Sequence, residues 1–175
     1  YTIFNEIQKI NKLKELYKDS TNLNKLNFKI NVGNVIWNEN KLILTDDDSK
    51  TLLIYSGNII NNELKIKKFN NESKKNYIKK DGLDDLCLVV NRGYGMGTYK
   101  LNFALIDIEK KYLIENHLLI IRYCGKKSKE EVKKIYENIM NSFKNPKTNE
   151  FISLYFGNNA LNTNELLHIL PIYLN

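Results

Sequence analysis

The stretch that decides the fold is Leu86-Cys-Leu-Val-Val90, then Asn91-Arg-Gly-Tyr-Gly-Met-Gly97, then two apolar runs that reach Tyr123 on either side of Asp107-Ile-Glu-Lys-Lys111. All three apolar runs are rich in Val, Ile and Leu, and glycines or charged residues bound them. Such runs are typical of strands, and turns between them join neighbouring strands. The stretch therefore predicts an antiparallel meander.

Polar side chains stand at the ends of these predicted strands. Arg92 and Tyr94 lie in the glycine-rich loop, and Asn116 and His117 interrupt the last run. These residue types suit contacts with base edges or phosphates better than acid-base chemistry. The glycines of Gly93-Tyr-Gly-Met-Gly97 do not match a dinucleotide fingerprint, since a strand and not a helix follows. We interpret the meander as a recognition surface and its glycine-rich stretch as a flexible hairpin loop.

Composition indicates one globular domain with an anionic partner. The chain has 175 residues, 42% of them hydrophobic, with a net charge of +7, and its sequence pI is about 9.2. That length predicts a single domain over residues 1–175, and the basic charge favours polyanions such as nucleic acid. Lysine supplies nearly all of the charge, because Arg92 and Arg122 are the only arginines.

The two cysteines and the hydropathy predict a cytoplasmic protein. Cys87 and Cys124 each stand in an apolar run without a second cysteine nearby, as in reduced intracellular cores. No apolar run approaches the roughly 18 residues of a spanning helix, so no membrane partner is expected. The chain starts at Tyr1 without a methionine, and we expect it to be a fragment of a longer chain.

The remaining segments predict an α+β fold. Apolar residues at helical spacing over 3–17 predict a lead-in helix within residues 1–20, and β-rich segments follow from Phe28 onward. Ser128 and Glu131 form a capping box before a helical stripe that Asn145-Pro146 stops, and Thr148 can cap the next helix. A last short helix spans 164–169. The order is a helix, many strands and a C-terminal helical hairpin.

The segment 65–80 is the most basic of the chain, with seven lysines among its residues. Such a segment can follow a phosphate backbone, or it can be a solvated loop of a lysine-rich protein.

A metal site has weaker support from the sequence. His117, His168 and the cysteines lack the close pair spacing of zinc ligands, so no metal site is predicted from them.

A nuclease is the main alternative. Asp107, Glu109 and Lys111 alternate, so on a strand their side chains would share a face. With Asp84 or Asp85 they resemble the metal site of restriction-type nucleases, in which carboxylates hold a divalent cation that helps form hydroxide. The simpler interpretation of these charged residues is a solvated turn between two buried strands. A third alternative is a protein-interaction domain whose lysines reflect genome composition.

Three segments together resemble a known family. Val32-Gly-Asn-Val-Ile-Trp-Asn-Glu-Asn-Lys41 is similar to the V-G-x-x-V-W-N-x-x-K segment in the C-terminal region of adenine-specific DNA methyltransferases of restriction-modification systems. Leu53-Ile-Tyr-Ser-Gly-Asn-Ile59 and Tyr112-Leu-Ile-Glu-Asn-His-Leu118 look like the two segments that follow it there. The tail from Tyr155 to Ile172 also resembles the closing segment of these domains and of type I specificity subunits. The resemblance runs from about residue 32 to the end.

The resemblance implies a target recognition domain that reads double-stranded DNA while the target base is extruded. It implies a β-helix-like part followed by a helical hairpin. The Asn/Asp-Pro-Pro-Tyr/Phe motif of the catalytic domain is missing, because Pro146 and Pro171 are the only prolines. This chain would therefore have no catalytic residues and no cofactor. The parent chain would carry the methyltransferase domain, with S-adenosylmethionine, on its N-terminal side.

The resemblance implies two groups of side chains, one that contacts bases and one that contacts phosphates. Arg92 suits a guanine contact, Asn58 or Asn116 an adenine contact, and Tyr94 lies in the same loop as Arg92. His117 either joins them or orders the sheet, and Trp37 is expected in the core. The expected phosphate contacts are the lysines Lys41, Lys67, Lys68 and Lys100.

Overall fold

The structure is a computed structural model that describes residues 6–93, 99–156 and 160–174. The chain divides into two compact units, each built from separated segments. We call residues 1–29, 93–101 and 123–175 the helical unit, and residues 30–92 and 102–122 the sheet unit. The α+β class predicted from the sequence is confirmed. In the parts of the chain that the structure describes, no helix has both the length and the apolar character to cross a membrane.

The helical unit contains α1 (Ile7–Tyr17), α2 (Lys129–Lys144) and α3 (Pro146–Tyr155), followed by a π-helical turn over Glu165–Ile169. α3 contacts both α1 and α2, and the predicted C-terminal helical hairpin is thus confirmed. The Tyr17 and Phe151 rings meet edge to face at 5.1 Å between α1 and α3. Aromatic contacts of this kind stabilise helix packing beyond the area that they bury.

The helix ends show where local sequence rules succeed and where one fails. The predicted capping box at the start of α2 is confirmed, since Ser128 and Glu131 bond each other's backbone N–H groups. Thr148 was predicted to cap α3, and that prediction is wrong. Asn145 is the cap, accepting the Lys147 N–H at 3.0 Å, because Pro146 suits the first helical position. Thr148 is buried, and its hydroxyl donates to the Ser142 carbonyl at 2.6 Å.

The described residues form ten strands, mostly in antiparallel pairs. In chain order they are β1 (Phe28–Val32), β2 (Leu44–Thr45), β3 (Thr51–Ile54), β4 (Ile59–Ile60), β5 (Glu63–Leu64), β6 (Tyr77–Ile78), β7 (Cys87–Asn91), β8 (Phe103–Ile106), β9 (Tyr112–Ile114) and β10 (Leu118–Tyr123). One sheet has the order β1-β10-β7-β8, a second has the order β2-β6-β3-β9, and β4 pairs with β5. None of these sheets is closed, so the β-helix-like detail is not confirmed.

The central strand of the sheet unit is β3, which is buried on both faces. Leu52 and Ile54 belong to a core cluster with residues of β7, β8 and β10, whereas Leu53 and Tyr55 belong to a second cluster with Val35 and Ile78. Alternate residues of a strand point to opposite faces. β3 therefore links two apolar cores and fixes the positions of the segments that flank it.

The predicted meander is wrong, although its first hairpin is confirmed. β7 and β8 pair in antiparallel fashion, but the last apolar run breaks into two strands. β9 pairs in parallel with β3 in the other sheet, and β10 pairs with the opposite edge of β7. The break falls at Glu115–His117, where a polar turn directs the chain from one sheet to the other.

Candidate nucleic-acid interface

The turn between β9 and β10 brings together three of the residues predicted to contact DNA. The Arg92 N–H donates to the His117 carbonyl at 3.2 Å, and Arg92 Nη1 donates to the Asn116 carbonyl at 3.2 Å. We call Arg92, Asn116 and His117 the Arg92 cluster. Arg92 directly follows β7, so the strand pair β7 and β10 fixes the backbone on both sides of the cluster.

A glycine makes the turn possible. A Cβ atom on Gly33 would lie 2.1 Å from the Glu115 carbonyl oxygen and 2.7 Å from that of Ile114. The absence of a side chain lets the backbone after β1 cross the turn closely enough for the Gly33 N–H to donate to the Leu118 carbonyl at 2.9 Å. The Asn116 N–H donates to Val35 at 3.0 Å. The Arg92 cluster therefore rests on a tightly packed backbone.

Glu115 orients the histidine from inside the protein. Its side chain is 1% exposed, and that of His117 is 45% exposed. The carboxylate contacts His117 Nδ1 through Oε1, and Oε2 accepts the His117 N–H at 3.3 Å. A buried carboxylate on one ring nitrogen fixes the plane of an imidazole. The neighbouring Asn116 side-chain oxygen is buried and accepts no hydrogen bond within the described residues.

Lys74 is half-buried against aromatic rings. Its ammonium is 4.2 Å from the Tyr55 ring centroid, 4.7 Å from Phe69 and 5.4 Å from Trp37. Burial lowers the pKa of Lys74, the Glu115 charge opposes that effect, and Lys67 adds to it. The cation-π contacts satisfy this charge internally. Trp37, expected in the core, is half-buried against the core cluster of Tyr55.

The predicted phosphate-contacting lysines fall in different places. Lys67 and Lys68 are exposed in the sheet unit, and Lys41 is exposed with its ammonium 5.6 Å from the Trp37 centroid. Lys100 is exposed but belongs to the helical unit. Tyr94 lies outside the described residues. Of the eight predicted residues that the structure describes, Arg92, Asn116 and His117 are the ones that come together in one cluster.

Within the basic segment 65–80, carboxylates neutralise two lysines. Lys65 pairs with Glu63 at 2.9 Å, and Lys75 pairs with Asp46 at 2.7 Å. Together with Lys74 these ammonium groups have partners inside the protein. The segment is therefore less basic toward solvent than its composition indicates.

Asn58 does not support the predicted adenine contact. The residue is completely buried; its side-chain oxygen accepts the Tyr55 N–H at 2.9 Å, and its amide nitrogen donates to the Lys65 carbonyl at 3.2 Å. The side-chain oxygen holds the turn between β3 and β4, and the side-chain nitrogen ties that turn to the residue after β5. A base edge would have to break one buried and one partly buried hydrogen bond to reach it, so the role of Asn58 is structural.

Sequence reasoning missed a basic cavity in the sheet unit. It has a volume of about 660 Å³. Nine residues from three segments line it: Ser49, Lys50, Thr51, Ile78, Lys79, Lys80, Asp81, Lys110 and Lys111. Five are lysines and one is a carboxylate, and we call this the lysine cavity. Lys50 precedes β3, Lys79 and Lys80 follow β6, and Lys110 and Lys111 precede β9.

The pairing of short strands explains why these lysines meet. β3 is the neighbour of both β6 and β9, and the parallel pairing places the starts of β3 and β9 side by side. Gly82 allows the close approach, since its Cβ would lie 2.5 Å from Thr51 Cγ2 and 2.9 Å from the Tyr112 backbone nitrogen. The one sequence signal was the repeated Lys-Lys pair at a strand boundary, which by itself does not reveal a shared cavity.

The residues of the nuclease alternative do not form the predicted arrangement. Asp107 to Lys111 is a turn between β8 and β9, so the alternation expected of a strand is wrong there. Asp85 instead accepts from Arg122 Nε at 2.5 Å and from the Tyr112 hydroxyl at 3.0 Å. Over residues 6–93, 99–156 and 160–174, no group of three or more His, Cys, Asp or Glu side chains could hold a metal ion.

A scan of the chain against models of known protein families found no match, and a search of curated proteins found none either.

Proposed function

We propose that the chain is the target recognition domain of an adenine-specific DNA methyltransferase and that it reads duplex DNA through the Arg92 cluster. The observation that carries the proposal is the joint fixation of Arg92, Asn116 and His117 on one turn of the sheet unit. Arginine and asparagine are side chains that pair with base edges. Their backbone is held by β7, β10 and Gly33, which is the kind of rigid support that specific contacts require.

The hydrogen-bonding capacity of the cluster supports base reading. A guanidinium has five N–H donors, and the bond from Arg92 Nη1 to the Asn116 carbonyl uses only one of them. The remaining donors suit the O6 and N7 acceptors of guanine, a contact that contributes roughly 1–3 kcal/mol of discrimination. Asn116 has the residue type that pairs with an adenine edge, but its side-chain oxygen is buried, so the turn would have to open before that oxygen could accept from a base.

The rest of the enzyme follows from the same proposal. A catalytic domain on the N-terminal side of the parent chain would bind S-adenosylmethionine and transfer the methyl group, and the parent would act in the cytoplasm as part of a restriction-modification system. This chain would supply duplex recognition without bond making or breaking. The exposed lysines Lys41, Lys67 and Lys68 would contribute contacts that carry no sequence information.

Selection of bound duplexes from a random pool by the purified chain tests the proposal. We expect one sequence family to be enriched. Arg92→Ala should weaken binding of the enriched duplex roughly 5- to 150-fold and leave binding of a shuffled duplex nearly unchanged. Lys126→Gln, a change at an exposed position of the helical unit, is the matched control. A pool without enrichment, or magnesium-dependent cleavage of the duplex, would contradict the proposal.

A further inference from the structure

We propose that the lysine cavity is a binding site for phosphate groups. Five lysines from three segments line a space of about 660 Å³, with Asp81 as the only acidic lining residue that the structure describes. Lysine binds phosphate as a flexible point charge and does not need the planar geometry of a guanidinium. The volume accommodates more than one phosphate group, as in a polyphosphate or in consecutive phosphates of a nucleic-acid strand.

Neutral partners hold two of the five ammonium groups, those of Lys80 and Lys110. Lys80 Nζ donates to the Asn40 side-chain oxygen at 2.9 Å. Lys110 Nζ donates to the Asp48 backbone carbonyl and lies 4.6 Å from the Tyr77 ring centroid. Neutral partners fix the position of a charge without cancelling it. These lysines therefore keep their attraction for an anion, in contrast to Lys65 and Lys75, which pair with carboxylates.

Carboxylates of the protein compete only weakly with a phosphate group for the lysines of the cavity. Among the described residues, Lys50 is the one cavity lysine with a carboxylate oxygen within 4.0 Å, and its partner Asp47 is 3.9 Å away. Both side chains of that pair are 46% exposed, and such surface pairs are worth little. Asp47 also accepts the Ser49 N–H at 2.9 Å. An incoming phosphate would not have to break a strong ion pair.

The backbone around the cavity is fixed as well. The Thr51 hydroxyl donates to the Lys80 carbonyl at 2.5 Å, and the Lys79 N–H donates to the Ile43 carbonyl at 2.9 Å. The bridge between Leu83 and Tyr112 secures the segment that carries Lys79 and Lys80 against β9. The lysines thus project from anchored strand ends and do not depend on a loose loop.

The lysine cavity and the Arg92 cluster lie at opposite ends of β9. Lys111 precedes the strand and Asn116 follows it, five residues later, so at most about 17 Å separates them along the chain. That length corresponds to roughly five base pairs. One duplex could meet both, but the affinity of the cavity for phosphate groups does not depend on base reading by the cluster.

Titration with sodium tripolyphosphate at constant ionic strength, followed by amide shifts in ¹H–¹⁵N spectra, tests the site. We expect the largest shifts at Thr51, Lys79, Asp81 and Lys111. The double variant Lys79→Gln/Lys111→Gln should weaken binding at least about tenfold, because hydrogen bonds to charged groups are among the stronger ones.

The matched control is Lys25→Gln/Lys126→Gln, which removes the same charge from exposed positions of the helical unit. Equal weakening in the two double variants, or shifts spread evenly over exposed lysines, would overturn the proposal. Duplex DNA is then added to the tripolyphosphate complex. Displacement assigns the site to backbone phosphates, and retention of tripolyphosphate assigns it to a free phosphate compound.

The outcome separates this inference from the proposed function. Tripolyphosphate binding with no enriched DNA sequence would support the lysine cavity and contradict recognition by the Arg92 cluster. An enriched sequence whose binding needs Arg92, without any response of the cavity amides to tripolyphosphate, would support recognition by the Arg92 cluster and contradict the phosphate site in the lysine cavity.

Discussion

Gly33→Ala should destabilise the sheet unit more than any ordinary surface substitution. The added Cβ would lie 2.1 Å from the Glu115 carbonyl oxygen, 2.6 Å from the Glu115 carbonyl carbon and 2.7 Å from the Ile114 oxygen. Even close carbon–oxygen contacts in proteins are about 3.3 Å or longer. All three neighbours are backbone atoms, so a change of side-chain rotamer cannot relieve the overlap. The backbone must move by roughly 1 Å.

That movement has two costs. Overpacking costs about 1–3 kcal/mol. The shift also strains the Gly33 to Leu118 hydrogen bond of 2.9 Å and the Val35 to Ile114 bond of 3.2 Å, and each such bond contributes about 1 kcal/mol. We expect the free energy of unfolding to fall by about 3 kcal/mol or more, which lowers the Tm by roughly 6–12 °C for a chain of this size.

Urea unfolding followed by Trp37 fluorescence measures the effect. Trp37 is the only tryptophan and lies in the same unit as Gly33. Gly57→Ala is the matched control, because its Cβ would have no neighbour within 4 Å, and it should change stability by less than about 1 kcal/mol. Equal stability of the two variants would refute the close packing of the Glu115 turn.

Three further predictions test other parts of the structure. Burial raises the pKa of Cys87 to about 12, while Cys124 is exposed; a thiol reagent at pH 8 should therefore modify one cysteine of the folded chain and two after unfolding, and rapid reaction of both would contradict the burial. Asn58→Ala should lower stability by about 1–3 kcal/mol in urea unfolding, because it leaves the buried Tyr55 N–H without its partner and removes the bond to the Lys65 carbonyl, and a variant of unchanged stability would show that the amide is not structural. Ser128→Ala should cost about 1 kcal/mol in thermal unfolding followed by circular dichroism, and no loss would argue against the capping box.

Local rules predicted the helices and several strands. The helical period and the Ser128 capping box placed α2, and the β-rich region predicted from Phe28 onward begins with β1. These features depend on residues within one or two turns of each other. The Thr148 error has the same local origin, since both Asn145 and Thr148 can cap a helix and only the buried contact with Ser142 decides between them.

Long-range pairing was beyond local sequence rules. The apolar run of β9 and β10 looks continuous, yet the parallel pairing of β9 with β3 depends on residues about 60 positions apart. The meeting of Lys50 and Lys111 depends on that pairing, and Lys79 joins them through the pairing of β6 with β3. Residue type identified the Arg92 cluster, whereas only the sheet order could locate the lysine cavity.

The most direct test of duplex binding is the salt dependence of affinity, measured by fluorescence anisotropy of a labelled duplex. Each phosphate contact contributes about −0.9 to the slope of log affinity against log salt. We expect the wild-type chain to show a slope of roughly −3 or steeper and Lys67→Gln/Lys68→Gln to be shallower by about 2. A wild-type slope near zero would contradict the account, because it would mean that the chain does not bind DNA through its phosphates.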